Sequence, residues 1–444
     1  MDLPLLFTQS FWRDEAFTAL IAVKSPWEII LSLIKDQSPP LYFLLLHFWM
    51  QFFGTSEYMI RLLSAFWYIG LIIAVYLLAG EYIQNWLGRA VVAASIFLNP
   101  LLIQYAAEAR PYMMYACLTS FGVYFLVKKK YILSGIIFGL ASLTHNFGLF
   151  NIVAVFFWWI YEYRSGLKNS LWNSIKFFVP AALLSGLWVI ITIVQFNRIN
   201  GTFWITENSM NMFIDMLQSF TRGEIWNPNF AATYVISLIM IVVGASYFIA
   251  PQKKNLNQTA TLALFLSIIP PVITYLISHF KTPIYHDRYL LASLPMIVIA
   301  VSYGVTRLWE ERRVTRIGLT VLIGIFLSTI FISSSQINNT SNKPPINWAV
   351  SQVIEQARPG DIVISEDIIN FLETKWYMRN NAKSLPAYTD FQGDTFPYYI
   401  GAPAFDSGDI ITSLPPGKDV WVIQIDGGYH KYVPGEVLST GKPQ

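Results

Sequence analysis

The chain has 444 residues, of which 54% are hydrophobic, 16% aromatic and 13% charged, and its mean hydropathy is +0.45. A soluble enzyme of this length carries about 25% charged residues to close its surface in water, so the composition excludes that class and makes the bilayer the natural solvent. The formal net charge of +3 calls for no nucleic acid partner, and the single cysteine, Cys117, excludes an intrachain disulfide and a cysteine-rich metal site.

The start reads as no cleavable signal peptide, because residues 1–12 lack a basic region and run straight into Arg13, Asp14 and Glu15. A helix is suggested over 16–34. The following run, 39–53, is too short to cross a bilayer, opens with Pro-Pro and contains His47 and Gln51, which predicts an interfacial or re-entrant helix. Apolar runs near the roughly 20 residues of a span follow at 58–80, 89–105, 111–127, 176–196, 230–250, 259–278, 289–305 and 317–335. The stretch 131–163 is too long for one span, and Asn146 and Gly148 mark a turn between two crossings of roughly 16 residues each. The total is about ten spans.

Cytoplasmic loops are enriched in Lys and Arg. With 39–53 not crossing and 131–163 crossing twice, the clusters Lys128-Lys129-Lys130, Arg164 with Lys168, Lys253-Lys254, and Arg307 with Arg312, Arg313 and Arg316 all fall on one face. The non-cytoplasmic face then receives 1–57, the turns at Glu108 to Arg110 and His145-Asn146, the loops 197–229 and 281–288, and everything after Ser335. From about 336 the composition becomes that of a soluble domain. Strand-like runs at 361–364 and 420–423, and a helical pattern at 347–357 stopped by Pro359-Gly360, predict an α/β unit. The expected division is 1–57 as an extracytoplasmic loop with an acidic motif, 58–335 as a helical bundle and 336–444 as an extracytoplasmic α/β domain.

Three sets of residues on that face carry potential chemistry. Asp14 and Glu15 lie among aromatics at the membrane surface, a pattern that equally suits an N-capping Asp before a helix. Glu108 and Arg110 sit in Gln104-Tyr105-Ala106-Ala107-Glu108-Ala109-Arg110-Pro111-Tyr112, between two spans, and acids and arginines at membrane depth are costly enough to suggest function. A local Glu108–Arg110 interaction is the plainer alternative. Tyr285-His286-Asp287-Arg288-Tyr289 opens a further span, where Arg288 suits phosphate recognition and the aromatics suit interfacial anchoring. His145 and His47 each resemble hydrogen-bonded packing residues more than metal ligands, and no metal-ligand spacing or phosphate-binding glycine loop occurs.

The order Trp12-Arg13-Asp14-Glu15, Gln37-Ser38-Pro39-Pro40-Leu41-Tyr42, Gly54-Thr55-Ser56-Glu57 and Arg61-Leu62-Leu63-Ser64-Ala65 resembles the GT-C superfamily of polyprenyl-phosphate-sugar glycosyltransferases. The likeness is strongest to the branch of dolichyl-phosphate-mannose protein mannosyltransferases and lipid A aminoarabinose transferases. Glu108-Ala109-Arg110-Pro111-Tyr112, Gly139-Leu140-Ala141-Ser142-Leu143-Thr144-His145 and Arg288-Tyr289-Leu290-Leu291 extend it over nearly the whole membrane part. The resemblance implies a GT-C type α-helical polytopic membrane protein with juxtamembrane helices and a C-terminal extracytoplasmic α/β domain. It departs from the pattern in two places. Only thirteen residues precede Asp14, where a transmembrane helix is usual, and Ser38 stands where His or Lys often precedes the Pro-Pro motif.

The resemblance implies inverting transfer of a hexose or pentose from a polyprenyl-phosphate donor to a lipid, glycan or protein acceptor on the non-cytoplasmic face. It matches Asp14 to the acidic residue of the catalytic loop and Glu15 to its acidic neighbour, while Glu108 is a further catalytic candidate on its own position, as a second acid on the same face. Arg110, Lys281, His286 and Arg288 are the candidate phosphate partners, with Tyr289 and His145 beside them. No cofactor is implied with certainty; a divalent metal ion held by Asp14 and Glu108 is an open possibility. A transporter or flippase of a lipid-linked sugar is the main rival, disfavoured because the acids gather on one face rather than at the midplane. A catalytically silent scaffold or receptor is a third reading.

Overall fold

The computed structural model describes residues 5–164, 171–199, 205, 211–224, 231–249, 257–311, 313–337, 343–389, 401–411, 414 and 417–433. Lys168, Lys253, Lys254 and Arg312, on which part of the orientation argument rests, lie outside them, as does most of the loop 200–210.

The helices, in chain order, are α1 (Leu5–Thr8), α2 (Arg13–Ala22), α3 (Pro26–Lys35), α4 (Leu41–Phe53), α5 (Glu57–Ala79), α6 (Trp86–Phe97), α7 (Pro100–Ala106), α8 (Tyr112–Val127) and α9 (Tyr131–Thr144). They continue as α10 (Gly148–Arg164), α11 (Leu171–Ile199), α12 (Met212–Arg222), α13 (Ala231–Ile249), α14 (Gln258–Phe280), α15 (Ser293–Glu311) and α16 (Arg313–Ile337). The C-terminal segment holds α17 (Ile346–Gln356), β1 (Ile362–Ser365), α18 (Phe371–Met378), β2 (Ala387–Thr389), β3 (Val420–Ile423) and β4 (Tyr429–Lys431).

Two compact units result: Met1–Arg61 with Thr202–Trp204 and Thr340–Gln444, and Leu62–Gly201 with Ile205–Asn339. The N-terminal and C-terminal segments, which the sequence presents as separate, thus belong to one unit.

The protein is an integral membrane protein. Among the described residues, α5, α11, α13, α14 and α16 are long and apolar enough to cross a bilayer, and α6 with α7, bent by 63° at Leu98-Asn99, makes a sixth path. Fewer helices meet the criterion than the expected ten because α8, α9 and α10 run to only 16, 14 and 17 residues and α15, at 19 residues, is not apolar enough. Such lengths need shielding by neighbours. The glycines show how it is supplied: a Cβ at Gly135 of α9 would lie 2.1 Å from Phe177 O of α11, and one at Gly139 would lie 2.8 Å from Leu184 Cβ. Small residues four apart let two backbones touch, which is how helices associate where burial of apolar surface gives no driving force. Gly304 of α15 meets Gly244 of α13 in the same way.

In the other unit, the expected helix over 16–34 is broken in two. Ser25 and Glu28 form a reciprocal capping box with Pro26 at the first helical position, so a new helix starts there and Asp14 lies inside the first turn of α2 rather than capping it. His47 of α4 bonds Ala22 O at 2.8 Å and Gln51 at 2.8 Å, a packing role. Trp27, Phe48, Phe52 and Phe53 remain exposed on α3 and α4, as in helices that lie in a membrane interface.

The C-terminal segment forms a four-stranded mixed sheet of order β2-β1-β3-β4, with β1 parallel to β2 and β3, and β4 antiparallel to β3. Alternate side chains serve opposite faces. Val363, Trp421 and Ile423 pack with Val350 and Val353 of α17, while Ile362, Ile364 and Val420 form a second cluster with Tyr388.

Candidate functional site

In the first unit the acidic motif splits into two environments. Successive helical residues point about 100° apart, so Glu15 turns inward while Asp14 stays partly accessible. Glu15 is fully buried. Arg61 donates Nε to its Oε1 and an Nη2 proton to its Oε2, both at 2.8 Å, and Lys343 Nζ lies 2.8 Å from Oε2. The remaining Arg61 protons go to Phe7 O at 3.0 Å, Gln9 O at 2.7 Å and Ser10 O at 3.0 Å. All five guanidinium donors are therefore engaged, and the chain leading into Asp14 is pinned by them. Burial raises the pKa of Glu15, but the Arg61 and Lys343 charges outweigh it and hold the pKa at about 2.

Asp14 keeps 16% of its side chain exposed, with Arg13 Nε 3.7 Å away, and its backbone oxygen accepts a 2.7 Å bond from Thr18 Oγ1. Beside this turn stands Glu373 of α18, buried, with its carboxyl facing its own backbone N–H and that of Arg13 and with Oε2 lacking a hydrogen-bond partner among the described residues. Burial, reinforced by the Asp14 charge against the pull of Arg13, pushes Glu373 up to about 8.

The second unit gathers most of the other candidates. Tyr112 opens α8, and both Arg110 and Arg288 lie over its ring, at 5.7 and 6.0 Å from the centroid. Arg288 also lies 5.7 Å from the Tyr289 ring and is buried in the short 3-10 turn Asp287–Leu290. His145, in the turn between α9 and α10, stacks on Tyr115 at 5.1 Å and touches Tyr112 and Tyr289 at 5.7 and 5.4 Å. Its Nδ1 accepts from Phe147 N at 3.3 Å, which leaves Nε2 as the donor. Burial, with Arg110 and Arg288 nearby, holds His145 down to about 3, so it is neutral. Tyr105 donates a 2.6 Å bond to Glu224 Oε1, and His286 Nδ1 is 3.9 Å from the same atom. Glu108 is buried in the tight turn before Arg110, whose backbone N–H bonds Glu108 O at 2.8 Å, and both Glu108 and Arg288 act electrostatically on Tyr105. Burial raises Glu224 above the ordinary carboxylate range, against the opposing Tyr105 bond and Arg288 charge.

Glu108, Arg110, His145, His286, Arg288 and Tyr289 are thus assembled from three stretches of chain. Lys281 is not among them: it is exposed and stacks over Phe196 at 4.6 Å. Asp14 and Glu108 belong to different units, and no group of three or more His, Cys, Asp or Glu side chains able to hold a metal ion occurs among the described residues. Sequence reasoning missed Tyr105, Glu224, Lys343 and Glu373 as site residues, and quoted Arg61 without assigning it a task. An arginine one turn into an apolar helix was the available signal for Arg61; Glu373 sits in an ordinary short helix and gave none.

A cavity of about 670 Å³ also opens in the second unit, lined by apolar side chains such as Val92, Ile297 and Phe326. It follows α6 from Asn85 to Asn99, a length of about 18 Å at 1.5 Å per residue. At its far end Asn99 Nδ2 donates to Phe220 O at 2.8 Å, and α7 leads from there directly to Tyr105 and the arginine cluster.

No protein-family model matches the chain, and no curated protein matches it in sequence. Solved structures do match its fold. ArnT from Cupriavidus metallidurans in the apo state superposes with a TM-score of 0.61 at 12% identity, over 94% of this chain and 89% of that one. The same protein bound to undecaprenyl phosphate gives 0.60 at 11% identity, over 94% and 90%. The Archaeoglobus fulgidus oligosaccharyltransferase, in complex with zinc and sulfate, gives 0.50 at 11% identity, over 93% of this chain and 64% of that one. The likeness is one of fold, and it agrees with the polytopic helical bundle carrying a small C-terminal sheet domain that the motif order leads us to expect.

Proposed function

We propose that the protein is an inverting glycosyltransferase that moves a sugar from a polyprenyl-phosphate donor to an acceptor hydroxyl on the non-cytoplasmic face of its membrane. The observation that carries this reading is the convergence of Arg110 and Arg288 on one tyrosine ring, next in the chain to an apolar cavity running along a membrane helix. Two guanidinium forks suit a phosphate, and an apolar channel suits the prenyl tail attached to it. The ArnT fold, solved elsewhere with undecaprenyl phosphate bound, supports the same donor class.

In the proposed reaction the acceptor oxygen forms a bond to the anomeric carbon as the carbon–oxygen bond to phosphate breaks. The phosphate leaves with that electron pair, its growing charge met by Arg110 and Arg288, and Asp14 takes the acceptor proton. His145, neutral and with Nε2–H as donor, is suited to a sugar or phosphate oxygen rather than to acid catalysis. Glu15 is assigned to holding Asp14 in place.

Purified protein in lipid vesicles, given a radiolabelled polyprenyl-phosphate sugar and candidate acceptors, should release polyprenyl phosphate and label the acceptor. Movement of intact donor across the bilayer with no covalent transfer would instead establish a flippase. Arg288→Ala should weaken donor binding about 10- to 100-fold, the worth of one or two charge-assisted hydrogen bonds; unchanged binding in a titration with the donor lipid would remove Arg288 from the phosphate site.

The orientation has its own check. In a Cys117→Ser background, a cysteine replacing exposed Ser351 should react with an impermeant thiol reagent from outside the cell, and one replacing exposed Gln84 should not. The reverse pattern would put the acidic motif in the wrong compartment.

A further inference from the structure

Three side chains on one face of α18 face the stretch of chain that ends at Asp14. Tyr377 Oη accepts from the Phe11 backbone N–H at 2.7 Å and from Ser10 Oγ at 3.4 Å, Trp376 packs on the Phe11 ring at 5.6 Å, and the Glu373 carboxyl faces the Arg13 backbone. Residues 373, 376 and 377 share one helical face by their i, i+3 and i+4 spacing. The grip falls where it is needed, because Trp12, the residue before α2, supplies no side-chain cap to the exposed backbone N–H groups of the first turn.

The two buried glutamates around this turn differ in one respect. Glu15 has both oxygens saturated by Arg61 and Lys343, as a structural anchor does. Glu373 turns its carboxyl toward the Arg13 backbone and leaves Oε2, also buried, uncommitted among the described residues. An uncommitted buried oxygen is costly to maintain for structure alone.

We propose that Glu373 is a positioning residue for the proposed transfer reaction: from the C-terminal segment it caps the turn that carries Asp14 and fixes the direction in which that carboxylate faces the acceptor. The inference rests on the assignment of Asp14 as the base. The C-terminal segment then belongs to the reaction apparatus itself, and separating it from residues 1–61 removes a cap from the catalytic turn. With burial and Asp14 keeping Glu373 protonated at neutral pH, glutamine reproduces both its shape and its pattern of one acceptor and one donor.

The test is a set of three variants of the full-length protein in lipid, with transfer measured per folded molecule against donor and acceptor concentration. Glu373→Gln should keep kcat within about 3-fold, because the acceptor for the Arg13 N–H survives. Glu373→Asp, one methylene short, and Glu373→Leu, without an acceptor, should lower kcat by about 10- to 100-fold with the donor KM unchanged, in line with the sensitivity of reaction rates to misplacement by an ångström. A purely structural residue would lower the folded fraction and leave kcat per folded molecule alone. Wild-type kcat in Glu373→Asp, or loss in Glu373→Gln equal to that in Glu373→Asp, overturns the proposal, and the first of these readouts holds even if the leucine variant does not fold. Asp14→Asn run alongside separates the two readings. If it transfers normally, the base assignment has failed; if it is inactive while Glu373→Asp is normal, only the positioning role has failed.

Discussion

Asp14→Asn is expected to lower turnover by about 10²- to 10⁴-fold, the usual worth of a positioned general base, with donor affinity little changed. The substitution keeps the size and most of the hydrogen bonding of the side chain and removes its charge and its capacity to take a proton. The surroundings make the experiment clean. Asp14 is partly exposed, its backbone is held by Thr18, and the turn is fixed from behind by Arg61 through the carbonyls of Phe7, Gln9 and Ser10. The variant should therefore fold and bind donor through Arg110 and Arg288 as before. Single-turnover transfer from a labelled donor, compared with equilibrium donor binding, separates the two. Near-normal transfer by a well-folded Asp14→Asn protein would exclude Asp14 as the base and direct attention to Glu108, since Glu15 is committed to its buried cations.

The bundle was legible in the sequence because its signals are local. Runs of apolar residues near bilayer length, the Asn146–Gly148 turn, and the strand-like runs at 361–364 and 420–423 each depend only on near neighbours, and the helices and strands fall within a few residues of them. The break at Ser25-Pro26 was also written in the chain, as a capping box; the apolar continuity of 16–34 concealed it. The candidate phosphate cluster was legible as pieces, since charged residues at membrane depth stand out against an apolar background, but not as an assembly. Nothing near Tyr105 announces Glu224, 119 positions away. The partners of the acidic motif were the least legible. Lys343 and Glu373 come from the part of the chain with ordinary soluble composition, where a lysine or glutamate is the commonest of surface residues, and only the fold takes them out of water. Lys281, by contrast, was chosen for its charge and its place in an outer loop, and the fold leaves it at the surface.

The buried triad of Glu15, Arg61 and Lys343 should dominate the stability of the unit that carries the acidic motif. Glu15→Gln would leave two cations out of water without a counter-charge, and breaking a buried pair in this way costs about 3–5 kcal/mol, enough to abolish a marginal fold. Replacing Glu15, Arg61 and Lys343 together by apolar residues of similar size is often neutral for an isolated buried ion pair. It should not be neutral here, because the carbonyls of Phe7, Gln9 and Ser10 would lose their donors, at about 1–3 kcal/mol for each that stays buried. The triple variant should therefore remain clearly less stable than the parent, and a triple variant as stable as the parent would show that Arg61 serves the carboxylate alone. The pH dependence follows from the depressed pKa of Glu15, about 2 in the folded chain against an ordinary 4.5. The unfolded state takes up the proton first as pH falls, so the contribution is fully present above about 4.5 and is lost progressively down to about 2. Melting of the detergent-solubilised protein should show this extra loss over that window, and the Glu15→Gln variant should lack it. An identical acid profile in the two proteins would mean that Glu15 is not held ionised by Arg61 and Lys343, and that the turn bearing Asp14 is anchored by the carbonyl contacts alone.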